Sequence, residues 1–229
     1  MSMSMVKRFY AFLGTPLFFR SRILLALLVV PLVFALTQPL WTIRMTAPQY
    51  PQGLSLDIYA HTVQGGHDGA DLKEINILNH YIGMHPLSRA DLSDLDWIPF
   101  AIVGLAILAL RCAAIGTVRS LVDIAVLTTY VGGFSFARFV FKLHTYGHTL
   151  DPDAPLKVDP FTPVIFGKKQ IANFLTESYP MTGTYLVAAF AGGVFVLLGW
   201  HLVSGRRRAR EAEGASRSWK LARDLLPHS

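Results

Sequence analysis

The sequence predicts an all-α membrane protein in which four transmembrane helices carry a small extracytoplasmic cap built from two loops. Three observations lead to this fold class. Hydrophobic residues make up 52% of the 229 positions, and the mean hydropathy is +0.39. The apolar residues fall in four blocks of roughly 18–22 residues, about the length that crosses a hydrocarbon layer ~30 Å thick. Polar stretches never exceed about sixty residues, which excludes a large soluble catalytic domain.

The four apolar blocks place the predicted spans at residues 23–41, 97–118, 121–141 and 184–203. Residues 1–22 form a basic, aromatic lead like that of a signal peptide. The block after it is too long for a signal-peptide core and no A-x-A site follows, so we expect an uncleaved anchor. Only a few residues separate the second and third spans, which predicts a tight antiparallel hairpin. The other segments are a first loop, a second loop and a tail, at residues 42–96, 142–183 and 204–229.

The placement of lysine and arginine predicts the orientation of the spans. If the N-terminus, the hairpin and the tail share one side, that side holds thirteen of the 21 basic residues. The remaining eight are spread over the two long loops. Because basic residues concentrate on the cytoplasmic side of membrane proteins, both termini are expected in the cytoplasm. The multi-pass chain would then lie in a bacterial cytoplasmic (inner) membrane, with both loops in the periplasm.

The two loops contain patterns that predict local structure. Residues 54–63, LSLDIYAHTV, alternate apolar and polar side chains like a short strand. Asp71 and Glu74 have the spacing of a capping box, which predicts a helix that begins at Asp71 and runs to Met84. Residues 166–178, FGKKQIANFLTES, predict a short amphipathic helix with its apolar residues on one face.

The first candidate metal ligands lie together in the stretch INILNHYIGMHP. Within six residues it contains His80, Met84 and His85. Imidazole and thioether groups are borderline to soft ligands that favour copper, and on the extracytoplasmic side of a membrane they predict a copper site. The other interpretation of both histidines is that they cap a helix and bond to loop carbonyls.

A second pair of candidate ligands, His144 and His148, follows the third span in the sequence HTYGH. Their spacing places both rings on one helix face if the helix continues through Gly147. We expect this pair to meet the first cluster in one shared site, although it also fits an interfacial pair at a helix end. His61 and His67 lie in turn-like sequence and are expected to face solvent.

Other cofactors and chemistries receive less support from the residues. The single Cys112 excludes an intrachain disulfide, a CxxC zinc site and a CxxCH haem attachment. No Ser/His/Asp pattern, phosphate-binding glycine loop or HExxH is present, so we predict that the chain is not an enzyme. Haem b is less favoured, because the second span offers no histidine to face His144 or His148. Arg138 and Lys142, at the outer edge of the third span, could attract an anionic lipid or quinol head group.

Two phrases, LNHYIGMHPL and KVDPFTPVIFGKKQIANFLTESYP, resemble a family of small, four-span bacterial membrane proteins. Members of that family tend to be encoded near genes for nitrous-oxide-reductase maturation and copper handling. The resemblance covers the two outer loops and the spans that follow them, about half of the chain. It implies a link to copper and respiration, and it supplies no catalytic residues.

These observations lead to one hypothesis and two alternatives. The hypothesis is a copper-binding accessory membrane protein that holds or passes copper on the extracytoplasmic side, for the assembly of a respiratory copper enzyme. The lipid bilayer and that enzyme, or other membrane subunits, are the expected partners, and nucleic acid is not. The alternatives are a metal-free structural subunit of a membrane respiratory complex and a b-haem electron-transfer subunit.

Overall fold

The membrane-spanning part of the chain is helical. The computed structural model describes residue 10 and residues 12–88, 96–171 and 174–224. Four helical segments among them are long and apolar enough to cross a membrane, which confirms a membrane protein. Residues 1–9 and 11 of the predicted N-terminal flank lie outside the described residues, as do residues 225–229 of the predicted tail. The four segments are Phe19–Thr37, Trp97–Ile115, Val118–His148 and Thr182–Gly205.

The first span is divided into α1 (Phe19–Leu27) and α2 (Val29–Phe34), followed by one 3₁₀ turn (Ala35–Thr37). Pro31 explains the interruption, because its ring has no N–H and crowds the carbonyl of Leu27, four residues earlier. The helix α3 (Ala70–Tyr81) lies between the first two spans, in the cap. The second span is α4 (Trp97–Ile115) and the third is α5 (Val118–His148). The last span opens α6 (Thr182–Asp224). The first and third spans each pack against the second and the fourth, so the four close into a bundle.

The prediction of an all-α fold is wrong, because the two loops combine into a five-stranded antiparallel sheet. The fold is therefore mixed α/β. The first loop supplies three strands and the second loop supplies two: β1 (Trp41–Ala47), β2 (Tyr50–Ile58), β3 (Val63–Gly65), β4 (Gly167–Ile171) and β5 (Phe174–Pro180). Their spatial order is β3-β2-β1-β5-β4. The central pair joins β1 to β5, so residues almost 140 positions apart are neighbours.

The predicted amphipathic helix at residues 166–178 is also wrong, because this segment forms the hairpin of β4 and β5. Along β5 the side chains of Thr176 and Ser178 are buried and their neighbours less so, the period of two that a strand requires. A strand does form in the predicted region, residues 54–63, but its bounds differ from the prediction. Its pattern belongs to β2, which begins earlier and ends at Ile58.

The helix of the first loop, α3 (Ala70–Tyr81), lies where it was predicted, but the predicted capping box is wrong. Gly69 takes the N-cap position, and no side chain caps the helix. The carboxylate of Asp71 is buried and instead accepts hydrogen bonds from the backbone N–H of Ser55 at 2.9 Å and from Nδ1 of His67 at 2.8 Å. Glu74 accepts a hydrogen bond from the hydroxyl of Tyr50. These carboxylates therefore fasten α3 to the sheet.

Two separate hydrophobic cores hold the molecule together. One runs through the bundle and includes Leu32, Leu105 and Phe190. The other is smaller and lies between the sheet and α3, around Leu56 and Ile75. The cap is thus a packed unit with its own core, seated at one end of the bundle.

Candidate metal site

The last turn of α3 brings the first three candidate ligands together. Gly83 has φ +77°, a left-handed conformation that favours glycine. The N–H of Gly83 donates to the carbonyl of His80 at 3.2 Å, and the N–H of Met84 donates to the carbonyl of Asn79 at 2.8 Å. This pair of bonds is a Schellman motif. It reverses the chain, so Met84 and His85 return beside the helix turn that carries His80.

Further hydrogen bonds fix the returning segment in place. The side-chain amide of Asn76 bonds to Leu87 in both directions: it accepts from the backbone N–H at 2.7 Å and donates to the carbonyl at 3.2 Å. On the other side, the N–H of Asp151 donates to the carbonyl of Gly83 at 2.8 Å. A β-carbon at Gly83 would lie 2.9 Å from the backbone N and O of Asp151, so the two segments touch at a glycine. The second loop therefore packs directly against the end of α3.

His80, Met84 and His85 line one pocket of about 410 Å³ with the segment Thr149–Pro152. Both imidazoles are exposed and the thioether is half-buried. Met84 also lines the large apolar chamber described below, so this residue belongs to the walls of both spaces. Two imidazoles and one thioether are a donor set suited to copper. The carboxylate of Asp151 is in the same wall and already accepts the N–H of Asp153 at 2.9 Å.

The second pair of candidate ligands lies at the end of α5, which continues through Gly147 to His148. The rings of His144 and His148 are stacked, with centroids 3.8 Å apart and planes 7° apart, and both residues are exposed. Nδ1 of His148 lies 2.9 Å from the carbonyl oxygen of His144. Because a carbonyl only accepts, we assign the proton to Nδ1, which leaves the Nε2 lone pair for a metal. A histidine oriented in this way is typical of metal sites.

The five predicted ligands do not all line the same pocket. His144 and His148 are absent from the pocket that holds the first three, although Thr149, the next residue, belongs to it. Lone pairs lie in the ring plane, so two parallel stacked rings do not aim at one point, and one ring would have to rotate to share a metal. Across the described part of the chain, no group of three or more His, Cys, Asp or Glu side chains is placed to hold a metal ion. The set of His80, Met84 and His85 is of another kind, because one of its three donors is a thioether.

Other histidines have separate surroundings. His67 is bonded to Asp71, and His61 is exposed beside the ring of Tyr59, with centroids 6.2 Å apart. The pocket lies outside all of these contacts. His80, Met84 and His85 line the pocket together and His144 is stacked on His148, whereas neither His61 nor His67 belongs to either group.

A second space, which we call the apolar chamber, occupies about 460 Å³ where the cap meets the bundle. Its described walls come from the sheet, α3 and all four spans, and they include no histidine. Haem b with two histidine ligands would need imidazoles on facing walls. The described lining of the chamber therefore does not supply the ligands of a b-haem.

Sequence reasoning singled out three side chains that line the pocket, but it did not predict the contacts that hold the pocket together. The sequence does carry one signal for the reversal at Gly83, because a glycine directly after a helix favours this type of ending. No local sequence pattern predicts the hydrogen bonds between Asn76 and Leu87. The same holds for the contact between Gly83 and Asp151. They depend on a loop reversal and on a segment almost seventy residues away.

Comparison of the chain with known protein families, with curated proteins and with solved structures finds no match.

Proposed function

We propose that this protein is an accessory protein of the bacterial cytoplasmic membrane that holds copper on the extracytoplasmic side. His80, Met84 and His85 are its primary ligands, and the role is binding rather than catalysis. One observation carries the proposal: a Schellman turn, clamped by Asn76, places two imidazoles and one thioether in the wall of one pocket.

The position of the pocket supports an extracytoplasmic role. Thirteen of the 21 lysines and arginines belong to the termini and the hairpin, which the positive-inside rule assigns to the cytoplasm. The cap lies at the opposite ends of the spans, because β1 follows the first span and β5 leads into α6. Copper bound there would be available to an extracytoplasmic respiratory copper enzyme, which agrees with the link to copper and respiration that the family resemblance implies.

His144 and His148 form an auxiliary pair in this proposal. His148 stands one residue before the pocket wall at Thr149, and this residue, whose Nε2 has the free lone pair, is exposed. In the stacked arrangement His148 offers copper a single donor, its Nε2. Rotation of one ring would let them approach the first three ligands and complete a four-coordinate site.

The test is the copper content of the protein purified in detergent, measured by mass spectrometry. We expect near-stoichiometric copper in the wild type and a loss of about tenfold or more in a His80→Ala/His85→Ala double variant, since it removes two of three primary ligands. His144→Ala/His148→Ala should lower the content less. His61→Ala is the matched control, because His61 is equally exposed and lies outside the pocket.

An absence of copper from a folded wild type would contradict the proposal. It would favour the second candidate, a metal-free structural subunit of a membrane respiratory complex. The observation behind that candidate is that the described residues contain no group of three His, Cys, Asp or Glu side chains placed to hold a metal. Cross-linking in native membranes followed by identification of the bound subunits would then be the measurement to make.

A further inference from the structure

The apolar chamber lies between the two hydrophobic cores. Leu32, Leu105 and Phe190 of the bundle core form part of its wall, and Leu56 and Ile75 of the cap core form another part. Protein interiors are normally packed as densely as organic crystals, so atoms that line an empty apolar gap lose attractive contacts. A space of about 460 Å³ is within the range of ligand sites. An apolar occupant would restore the lost contacts.

The chamber is at the level of the outer membrane surface. Counted from Val118, about twenty residues of α5 cross the hydrocarbon layer, so it ends near Arg138. Trp41 and Trp97 line the chamber and pack on rings of α5, Trp41 on Phe139 at 5.1 Å. Tryptophans concentrate at membrane–water interfaces, which agrees with this depth. The chamber therefore extends from the acyl-chain region to the head-group region of the outer leaflet.

Two cationic residues belong to the wall at this depth. Arg138 and Lys142 line the chamber one helical turn apart, and both are half-buried. The guanidinium of Arg138 lies 5.6 Å from the ring centre of Phe141, and the ammonium of Lys142 lies 5.5 Å from that of Tyr146. Arginine has five N–H donors and lysine has three, so each can bind a phosphate in addition to its other partners. Apolar walls with cations at one end are complementary to an anionic amphiphile.

We infer that the chamber binds one anionic phospholipid of the outer leaflet. Its acyl chains would occupy the apolar space between the cores, and its phosphate would bind Arg138 and Lys142. The bilayer is the source, because the four spans place the chamber beside it. The bound lipid would join the cap to the bundle by filling the gap that separates their two cores.

Two neighbouring glycines of α5 allow a sharp test. A β-carbon at Gly132 or at Gly133 would meet no atom within 4 Å, so both helix positions accept a side chain. Only Gly132 lines the chamber. Gly132→Phe therefore places a ring at the chamber wall, and Gly133→Phe is the matched control for the same change in the same helix.

The measurement is native mass spectrometry of the full chain, released from detergent with added dioleoyl phosphatidylglycerol or dioleoyl phosphatidylcholine. These lipids have the same chains and differ in head-group charge. We expect the wild type to retain one phosphatidylglycerol, and retention to fall about tenfold in Gly132→Phe but not in Gly133→Phe. Arg138→Gln/Lys142→Gln should lower retention of the anionic lipid by about tenfold. Lys73→Gln is its control, because Lys73 is exposed and lies outside the chamber.

Equal retention by the two glycine variants would overturn the assignment of the chamber. Equal retention of the two lipids by the wild type would overturn the assignment of an anionic head group, and a retained molecule that is not a phospholipid would do the same. Circular dichroism and thermal melting would show that each variant is folded. Copper content is measured separately, so failure of this inference and failure of the copper proposal can be told apart.

Discussion

The bundle and the cap are built on different physical principles. Each membrane helix satisfies its backbone hydrogen bonds within its own segment, as the bilayer requires. The cap satisfies much of its backbone between segments, because β1 bonds to β5 although two spans separate them in the chain. Local sequence patterns therefore predict the structure of the bundle well and that of the cap poorly. The difference also predicts that the most sensitive positions lie where separate segments meet in the cap.

The largest expected effect comes from changing a glycine in the last turn of α5, beyond its membrane-crossing part. A β-carbon at Gly147 would lie 1.8 Å from the carbonyl oxygen of Phe161, whose N–H bonds to the Gly147 carbonyl at 2.9 Å. Backbone must move to relieve this overlap, so we expect Gly147→Ala to cost about 3 kcal/mol. Thermal unfolding in detergent, followed by circular dichroism, measures it.

Gly132→Ala is the internal control for that experiment. It is the same substitution in the same helix, within the membrane, and its β-carbon would meet nothing within 4 Å. Alanine is the better helix former by about 0.5–1 kcal/mol, so this variant should lose no stability. A melting temperature that falls equally in the two variants would contradict the contrast between cap and bundle.

The next largest effect is expected at Asp71, the buried carboxylate that fastens α3 to the sheet. Burial raises the pKa of Asp71, but the hydrogen bonds from Ser55 and His67 outweigh it, and the net pKa is below its usual range. Hydrogen bonds to charged groups contribute about 1.5–3 kcal/mol, so Asp71→Asn should destabilise the cap by about 2 kcal/mol. The exposed Asp68→Asn, in the adjacent turn, should have little effect.

The lowered pKa of Asp71 also determines whether the stability of the folded protein rises or falls with pH. Its stabilisation is fully present above the unfolded-state pKa, about 3.9 for aspartate, and is lost as the pH falls through the lower folded-state value. The melting temperature of the wild type should therefore fall below about pH 4. In Asp71→Asn this part of the acid dependence should be missing. An unchanged acid profile in the variant would show that other groups govern it.

Four spans and the grouping of His80, Met84 and His85 could be predicted from the sequence because both depend on nearby residues. Apolar length alone predicts a span, and six consecutive residues are close in any fold. The sheet could not be predicted in the same way. Residues 166–178 fit a helical period, and only pairing with β1, over 130 positions earlier, makes them strands.

The sequence also could not predict whether the two histidine clusters meet. The spacing of His144 and His148 predicts rings on one face, and the helix does continue through Gly147. Whether those rings meet His80 depends on how Thr149–Pro152 packs against Gly83, a contact made between two loops. The rotamer of each histidine side chain then determines the direction in which its ring nitrogen lone pair points. The predicted shared site consequently rests on tertiary contacts that no local spacing encodes.

The smallest expected effect is at the outer edge of the cap sheet. Lys168 on β4 forms an ion pair with its cross-strand partner Glu177 on β5, and the Lys168 side chain is largely exposed. The hydrogen bond to Glu177 and its negative charge raise the pKa of Lys168. The pair therefore stabilises the folded state below the ordinary lysine pKa of about 10.4, and this contribution is lost as the pH rises through the raised value.

Because solvent and salt screen exposed ion pairs, Lys168→Gln should lower the melting temperature only slightly at low ionic strength. The difference should vanish near 1 M salt, where the screening length is about 3 Å. Lys169→Gln is the control, since Lys169 bonds to the carbonyl of Thr162 rather than to a carboxylate. A large, salt-independent loss would mean that the edge strand is held by this pair. The expected small loss would instead assign the stability of the cap to its buried contacts, of which Asp71 is the test.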